Sequence, residues 1–254
     1  MRNSIFAGIA FVATWTAAHA ESQRAASDAP TIVPGDGTVD GSRITPYDNA
    51  WSVVTRKENG TITHIGVATD HVGYVTIDNR KYLLRVEGQV DDDGTREDTQ
   101  FTLSDPATLA PHAGENHAAD GSIEKRSYNG THLTVRNAAP LAASEQVHQL
   151  ELLQPVFDFR GNMAGLILRA QPLHDGYAAR IPWADAGGTL HLTEIRVLRR
   201  ETIPAGMLGK VSTWAVAVGS EPSHITYWIA DVAPYVIRCD IASVGEVTSW
   251  KITQ

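Results

Sequence analysis

Cysteine is nearly missing from the chain. Cys239 is the only one, so no intrachain disulfide can form. A domain without disulfides has to stand on its hydrophobic core, and a chain of this length can bury one large core. Cys239 lies among apolar neighbours in a strand-like stretch, the setting of a small buried hydrophobe rather than a reactive thiol. Long apolar runs are missing too. The run from Ile5 to Ala13 is too short to span a bilayer as a helix, which takes about 20 residues. No basic cluster is present, and the formal net charge is -8. That balance argues against nucleic acid and anionic membrane surfaces as partners. The chain has no G-x-S-x-G elbow, no H-E-x-x-H and no phosphate-binding glycine loop. Triads are recognised by geometry, so a missing motif does not exclude catalysis.

The first residues carry an export signal. Arg2 is followed by the Ile5–Ala13 apolar run and by Ala18-His19-Ala20, a small-x-small cleavage site. Residues 1–20 are therefore expected to be a signal peptide. Residues 21–43, rich in Ala, Ser, Asp, Gly and Pro, follow as a flexible lead-in, and 44–254 as a single β-rich domain. No cysteine stands near the cleavage site to carry a lipid. The expected location is outside the cytoplasm, in the periplasm of a Gram-negative cell, with no transmembrane anchor.

From Trp51 onward the pattern is β. Alternating runs flank Glu58-Asn59-Gly60, then Asp78-Asn79-Arg80, then Asn129-Gly130, all hairpin turn signals. Consecutive hairpins pair most simply as a meander. Residues 104–122 read as a long polar connection carrying His112 and His117. Residues 155–171 break the alternation. Val156, Phe157, Met163, Leu166, Ile167 and Ala170 form a helical stripe, with Asp158 as the candidate cap and Gly161 and Gly165 against it. From Thr189 the strands resume. The expected fold is mainly β: a curved antiparallel sheet or half-barrel with one short helix packed on its concave face.

Two groups of residues are candidates for function. Trp214, Trp228, Tyr235 and Trp250 fall in different strands near the end of the chain, where aromatics on adjacent strands can share one face. They serve either as core or as the lining of an apolar ligand site, since aromatics with polar tips suit a cavity mouth. Trp228 shares its strand face with Thr226 and Ala230, small neighbours that leave room beside the indole. The second group is His112, His117 and His174 with Asp158 and Asp175, which can do acid–base work only if they converge. The acid run Asp91–Asp93 lacks calcium-loop spacing, and the His pair lacks a third ligand. No metal or cofactor is expected.

Several stretches resemble a family of uncharacterised bacterial periplasmic proteins with a β-rich domain of unknown function. They are Thr108-Leu109 with Pro111, then Pro172-Leu173 with Gly176-Tyr177, and the ending marked by Trp228, Tyr235 and Arg238. The resemblance covers most of residues 45–254. It implies a strongly curved antiparallel sheet, similar to the half-barrel of lipoprotein carriers that hold acyl chains. Fold likeness leaves function open. The leading expectation is an exported, non-catalytic protein that binds a lipid or small apolar or amphipathic ligand at the cell envelope. The alternatives are a periplasmic hydrolase using the His and Asp residues above, and an envelope interaction module.

Overall fold

The computed structural model describes residues 29–94, 97–140, 144–185, 189–220 and 223–253. Its strands, in chain order, are β1 (Tyr47–Lys57), β2 (Ile62–Ile77), β3 (Arg80–Asp91), β4 (Glu97–Ser104), β5 (Pro111–His117), β6 (Ile123–Asn129) and β7 (His132–Ala138). They continue with β8 (Gln146–Glu151), β9 (Ala178–Ala184), β10 (Leu190–Pro204), β11 (Lys210–Ser220), β12 (Ser223–Ala230), β13 (Val236–Ser243) and β14 (Glu246–Ile252). All lie in one antiparallel sheet of order β8-β7-β6-β5-β4-β3-β2-β1-β14-β13-β12-β11-β10-β9. Two meanders are thus joined where the ends of the chain meet, β1 against β14, with Trp51 opposite Ile252 and Val53 opposite Trp250.

Local chemistry explains the turns. Asp78 (φ 49) and Asn79 (φ 62) both hold positive φ, as a two-residue type I′ hairpin turn demands. Gly60 and Gly130 supply the same backbone region in the other two expected hairpins. In β1 the residues at 49, 51 and 53 are buried while 48, 50 and 52 are more open, the period of two that puts one strand face on a core. Register shifts at Val53/Val54, Leu103/Ser104, Val197/Arg199 and Trp228/Ile229 bend the strands.

The expected helix is present and short. A wide five-residue turn, Phe159–Met163, leads into α1 (Ala164–Arg169). Leu166, Ile167 and Leu168 are fully buried, as is Met163 just before the helix, so α1 is apolar on every side up to Arg169 because it is wrapped by the sheet. Each such side chain contributes about 1.5–3 kcal/mol of hydrophobic burial. Gly165, unfavourable for a helix by propensity, is explained by contact. A Cβ there would stand 2.3 Å from Val236 Cγ2, so only glycine lets α1 come this close to β13.

The sheet curls without closing. The chain leaving β8 crosses the gap towards β9 before turning inward. Leu152 and Val156 pack with Leu133 and Val135 from one side and with Ala184 and Leu190 from the other. The Phe157 N–H donates to Pro182 O at 3.1 Å. The outer edge of β9 is partly covered by residues 30–32, through Ile32 N to Arg180 O (3.0 Å) and Arg180 N to Pro30 O (2.9 Å).

Several local expectations differ from what is observed. The expected signal peptide, residues 1–20, and residues 21–28 lie outside the described residues. From residue 29, however, the lead-in is packed rather than loose: Ala29, Ile32 and Val39 are buried. Its isolated apolar side chains have no period of their own and find partners only in the folded sheet. The polar stretch 104–122 contains β5, whose ladder with β4 and β6 needs no apolar alternation. β8 is likewise almost wholly exposed. Asp158 makes no cap bond to the helix backbone and is used elsewhere.

Candidate functional site

Inside the sheet, polar groups gather where strand alternation calls for apolar ones. Asp70 lies between Ala68 and Val72 on the buried face of β2. Its carboxylate takes two bonds from Arg85 of β3, Nε to Oδ1 at 2.8 Å and Nη2 to Oδ2 at 2.9 Å. The Tyr47 hydroxyl donates to the same Oδ2 at 2.7 Å. Glu87, paired with Asp70 across the ladder, stands 3.2 Å from Arg85 Nη2. Two acids thus share one buried base. Burial, together with the Asp70 charge and against the pull of Arg85, pushes the Glu87 carboxyl up to about 7. Burial also works against the Arg85 charge, yet Asp70 beside it carries its pKa above the ordinary arginine value.

A second buried cluster anchors the chain where it turns inward. Asp158 accepts from Thr102 Oγ1 (2.9 Å) and the Tyr128 hydroxyl (3.2 Å), and pairs with Arg126. Arg126 also pairs with Glu124. This satisfied network ties β4 and β6 to the start of the helical segment. Among the described residues no group of three or more His, Cys, Asp or Glu side chains is placed to hold a metal ion.

Beside the first cluster lies a cavity of about 180 Å³, between the start of α1 and the inner sheet face. Trp51, Trp250, Tyr227 and Val236 form its apolar wall, and Glu87, Arg85, Gln100 and Asn162 its polar end. The Asn162 amide nitrogen donates to two backbone oxygens, Arg85 O (3.4 Å) and Gln100 O (3.3 Å). Those two acceptors fix the orientation of the amide. Its Oδ1 is buried and has no hydrogen-bond partner. The Cys239 thiol also lines this cavity, and burial pushes its pKa well up, which leaves it unreactive.

The predicted aromatics divide among several places. Trp250 lines this cavity, its ring 6.0 Å from that of Trp51. Tyr235 is buried between Tyr47, whose ring meets it edge-on at 5.6 Å, and Arg169. Trp214 lines a different cavity, at the far end of α1. Trp228 follows Tyr227 in β12 and so faces away from the first cavity. There its Nε1 donates to Glu201 Oε1 at 2.7 Å and the Arg238 guanidinium covers its ring at 4.5 Å. The room left by Thr226 and Ala230 is therefore on the face carrying charged side chains. The histidines do not converge. His112 stacks on Tyr82, His117 pairs with Glu115, and His174 bonds to the carbonyl of Asp175.

Residues 47–249 match a family described as a protein of unknown function, DUF3108. The chain belongs to the DUF3108 family. The match runs from the first residue of β1 into β14, so the family spans the whole sheet and the helix inside it. Among curated proteins, none matches this DUF3108 chain. A solved structure similar to it is a beta-barrel-like protein of the domain of unknown function DUF1849 from Brucella abortus. The TM-score is 0.55 at 12% identity, over 84% of this chain and 97% of that one. The likeness is one of fold. It agrees with the expected β-rich domain of unknown function.

In this DUF3108 domain Trp51, Tyr227, Arg85, Glu87 and Asn162 were not among the predicted site residues. One signal was available: Asp70 stands in phase with Ala68 and Val72, and a carboxylate on a buried strand face needs a cation. Trp51 gave none, because its neighbour Trp250 is at the other end of the chain.

The Glu87 carboxyl makes a testable contribution to stability. Its folded pKa, about 7, lies above its ordinary value of 4.5. Between these values the folded state holds more protons than the unfolded one, so stability falls as pH rises from about 4.5 to about 7 and then levels off. In Glu87→Gln that part of the fall is expected to disappear. Urea denaturation at pH 5 and pH 8 reads it; equal pH dependence in both proteins would refute the assignment.

Proposed function

We propose that this DUF3108 protein is a non-catalytic binder of a small amphipathic molecule, held in the cavity between α1 and the inner sheet face. The observation that carries the reading is the contrast between the two ends of that cavity. One end is indole and aliphatic surface; the other offers the unpartnered Asn162 Oδ1 and the Glu87 carboxyl. Arg85 is already committed to Asp70, so the Asn162 Oδ1 and, once it ionises above about pH 7, the Glu87 carboxylate are both hydrogen-bond acceptors. The head that suits them is a donor, such as a hydroxyl or amide N–H. At about 180 Å³ the space is smaller than the ~300–1,000 Å³ of sites for drug-sized ligands. α1 fills the part of the concave face where a half-barrel carrier would hold a long chain. The ligand class is therefore a short alkyl or aromatic alcohol or amide, not a whole lipid. Export, inferred from Arg2, the Ile5–Ala13 run and Ala18-His19-Ala20, puts this binding at the cell envelope.

A probe of the right size and chemistry is 1-hexanol. Its titration should change the emission of Trp51 and Trp250 saturably, while hexane of similar length binds more weakly for want of a donor. Equal response to both, or none to either, removes the polar end from the account.

A further inference from the structure

The far end of α1 borders a second cavity, of about 250 Å³, lined by Trp214, Ile229 and Leu173 together with Arg43, Arg169 and Asp231. Arg169 closes the last turn of α1, where a cation is favoured by the helix dipole. Its Nη2 donates to the backbone oxygen of Asp231 at 2.8 Å, and its guanidinium lies 5.5 Å from the Tyr235 ring. Its Nε is buried and has no hydrogen-bond partner. Among the described residues no carboxylate forms an ion pair with it. A buried charged donor left unmatched is costly, so an acceptor is favoured there. Arg43 reaches the same cavity while donating to Gln171 O at 3.0 Å, with Asp40 at 3.3 Å as its counter-charge. The one carboxylate in the lining, Asp231, is held by Arg200 at 2.8 Å. Arg43, Arg169 and Arg200 therefore face Asp40 and Asp231, an excess of one positive charge beside an indole.

We propose that this cavity is a second binding site, for a small organic oxyanion: a carboxylate or phosphate monoester on an apolar or aromatic body. The oxyanion takes the free N–H groups of Arg169 and Arg43, since guanidinium matches planar and tetrahedral oxyanions with paired donors. The body lies against Trp214, Ile229 and Leu173. The site differs in sign from the first cavity, whose available groups are acceptors, and does not depend on it.

Calorimetric titration of the whole protein with benzoate, with phenyl phosphate and with neutral benzamide tests the assignment. Saturable one-to-one binding of at least one of the anions is expected, much weaker at high salt, with benzamide not binding. Whichever anion binds more tightly names the head group. Arg169→Gln should weaken binding about tenfold or more, the worth of a charged hydrogen bond. If that variant fails to fold, Arg43→Gln decides the matter, because the Arg43 side chain is 38% exposed and its loss should leave the fold intact. The proposal is overturned if neither anion binds, if benzamide binds equally, or if the folded variants bind as the parent does.

Discussion

Arg85→Met is expected to lower the free energy of unfolding by about 3–5 kcal/mol, the usual cost of removing one partner from a buried ion pair. The side chains of Arg85 and Asp70 are 4% and 0% exposed, so neither can turn to water when the other is lost. The substitution leaves two carboxylates, Asp70 and Glu87, facing one another across the β2–β3 ladder with no base between them. Part of the cost will be met by protonation, so the variant should lose less stability at pH 5 than at pH 8. The loss belongs mainly to the stranded charge and not to the pair's own attraction. Asp70→Leu combined with Arg85→Met should therefore recover much of the stability. Urea denaturation of the single variant at pH 5 and pH 8, and of the double variant, reads the loss, its pH dependence and the recovery. A single variant within about 1 kcal/mol of the parent would mean that the cluster is hydrated rather than buried, since exposed pairs are worth only that much.

Phe157→Ala is expected to cost a similar amount, about 3–5 kcal/mol, by leaving a hole that nearby side chains cannot fill. Phe157 is 1% exposed. It stands where the chain passes through the gap between β8 and β9, and its N–H holds Pro182 of β9. The damage should therefore be uneven. Amide exchange in β9 should speed up more than in β13, which is flanked by paired strands on both sides. Leu153, four residues earlier and 93% exposed, provides the control, and Leu153→Ala should be nearly neutral. Uniform loss of protection through the sheet would show that the crossing segment is not a local seal.

These two sites also show why some features could be read from the sequence and others could not. The hairpins at Asn59-Gly60, Asp78-Asn79 and Asn129-Gly130 were legible because turn chemistry is local, and all three are present. The helix was legible from the stripe Val156 to Ala170, and its place inside a curved sheet followed from its being apolar with no opposing layer. β5 and β8 were not legible. Their residues are mostly polar, with no sustained apolar alternation, and they are held as strands by neighbouring ladders, which no period reveals. Asp158 was misread as a cap because position alone suggested it; its partners Thr102, Arg126 and Tyr128 come from strands far away in the chain. For the aromatics, residue type was informative but face was not. Trp214 and Trp250 lie in β11 and β14, which are not neighbours in the sheet, and Tyr235 stands just before β13, so which cavity each one meets depends on the strand order and on α1, which alternation alone does not reveal.

The most direct test of the central claim is native mass spectrometry of the protein purified from its own compartment, followed by organic extraction. Alongside it, Ala164→Leu places a larger side chain in the first cavity, which Ala164 lines. The account predicts that the parent carries a small neutral molecule with a hydroxyl or amide head. It also predicts that Ala164→Leu, equally folded, does not carry it. A parent that is always free of ligand and gives no response to 1-hexanol, or a variant that carries the same molecule at the same occupancy, would contradict it.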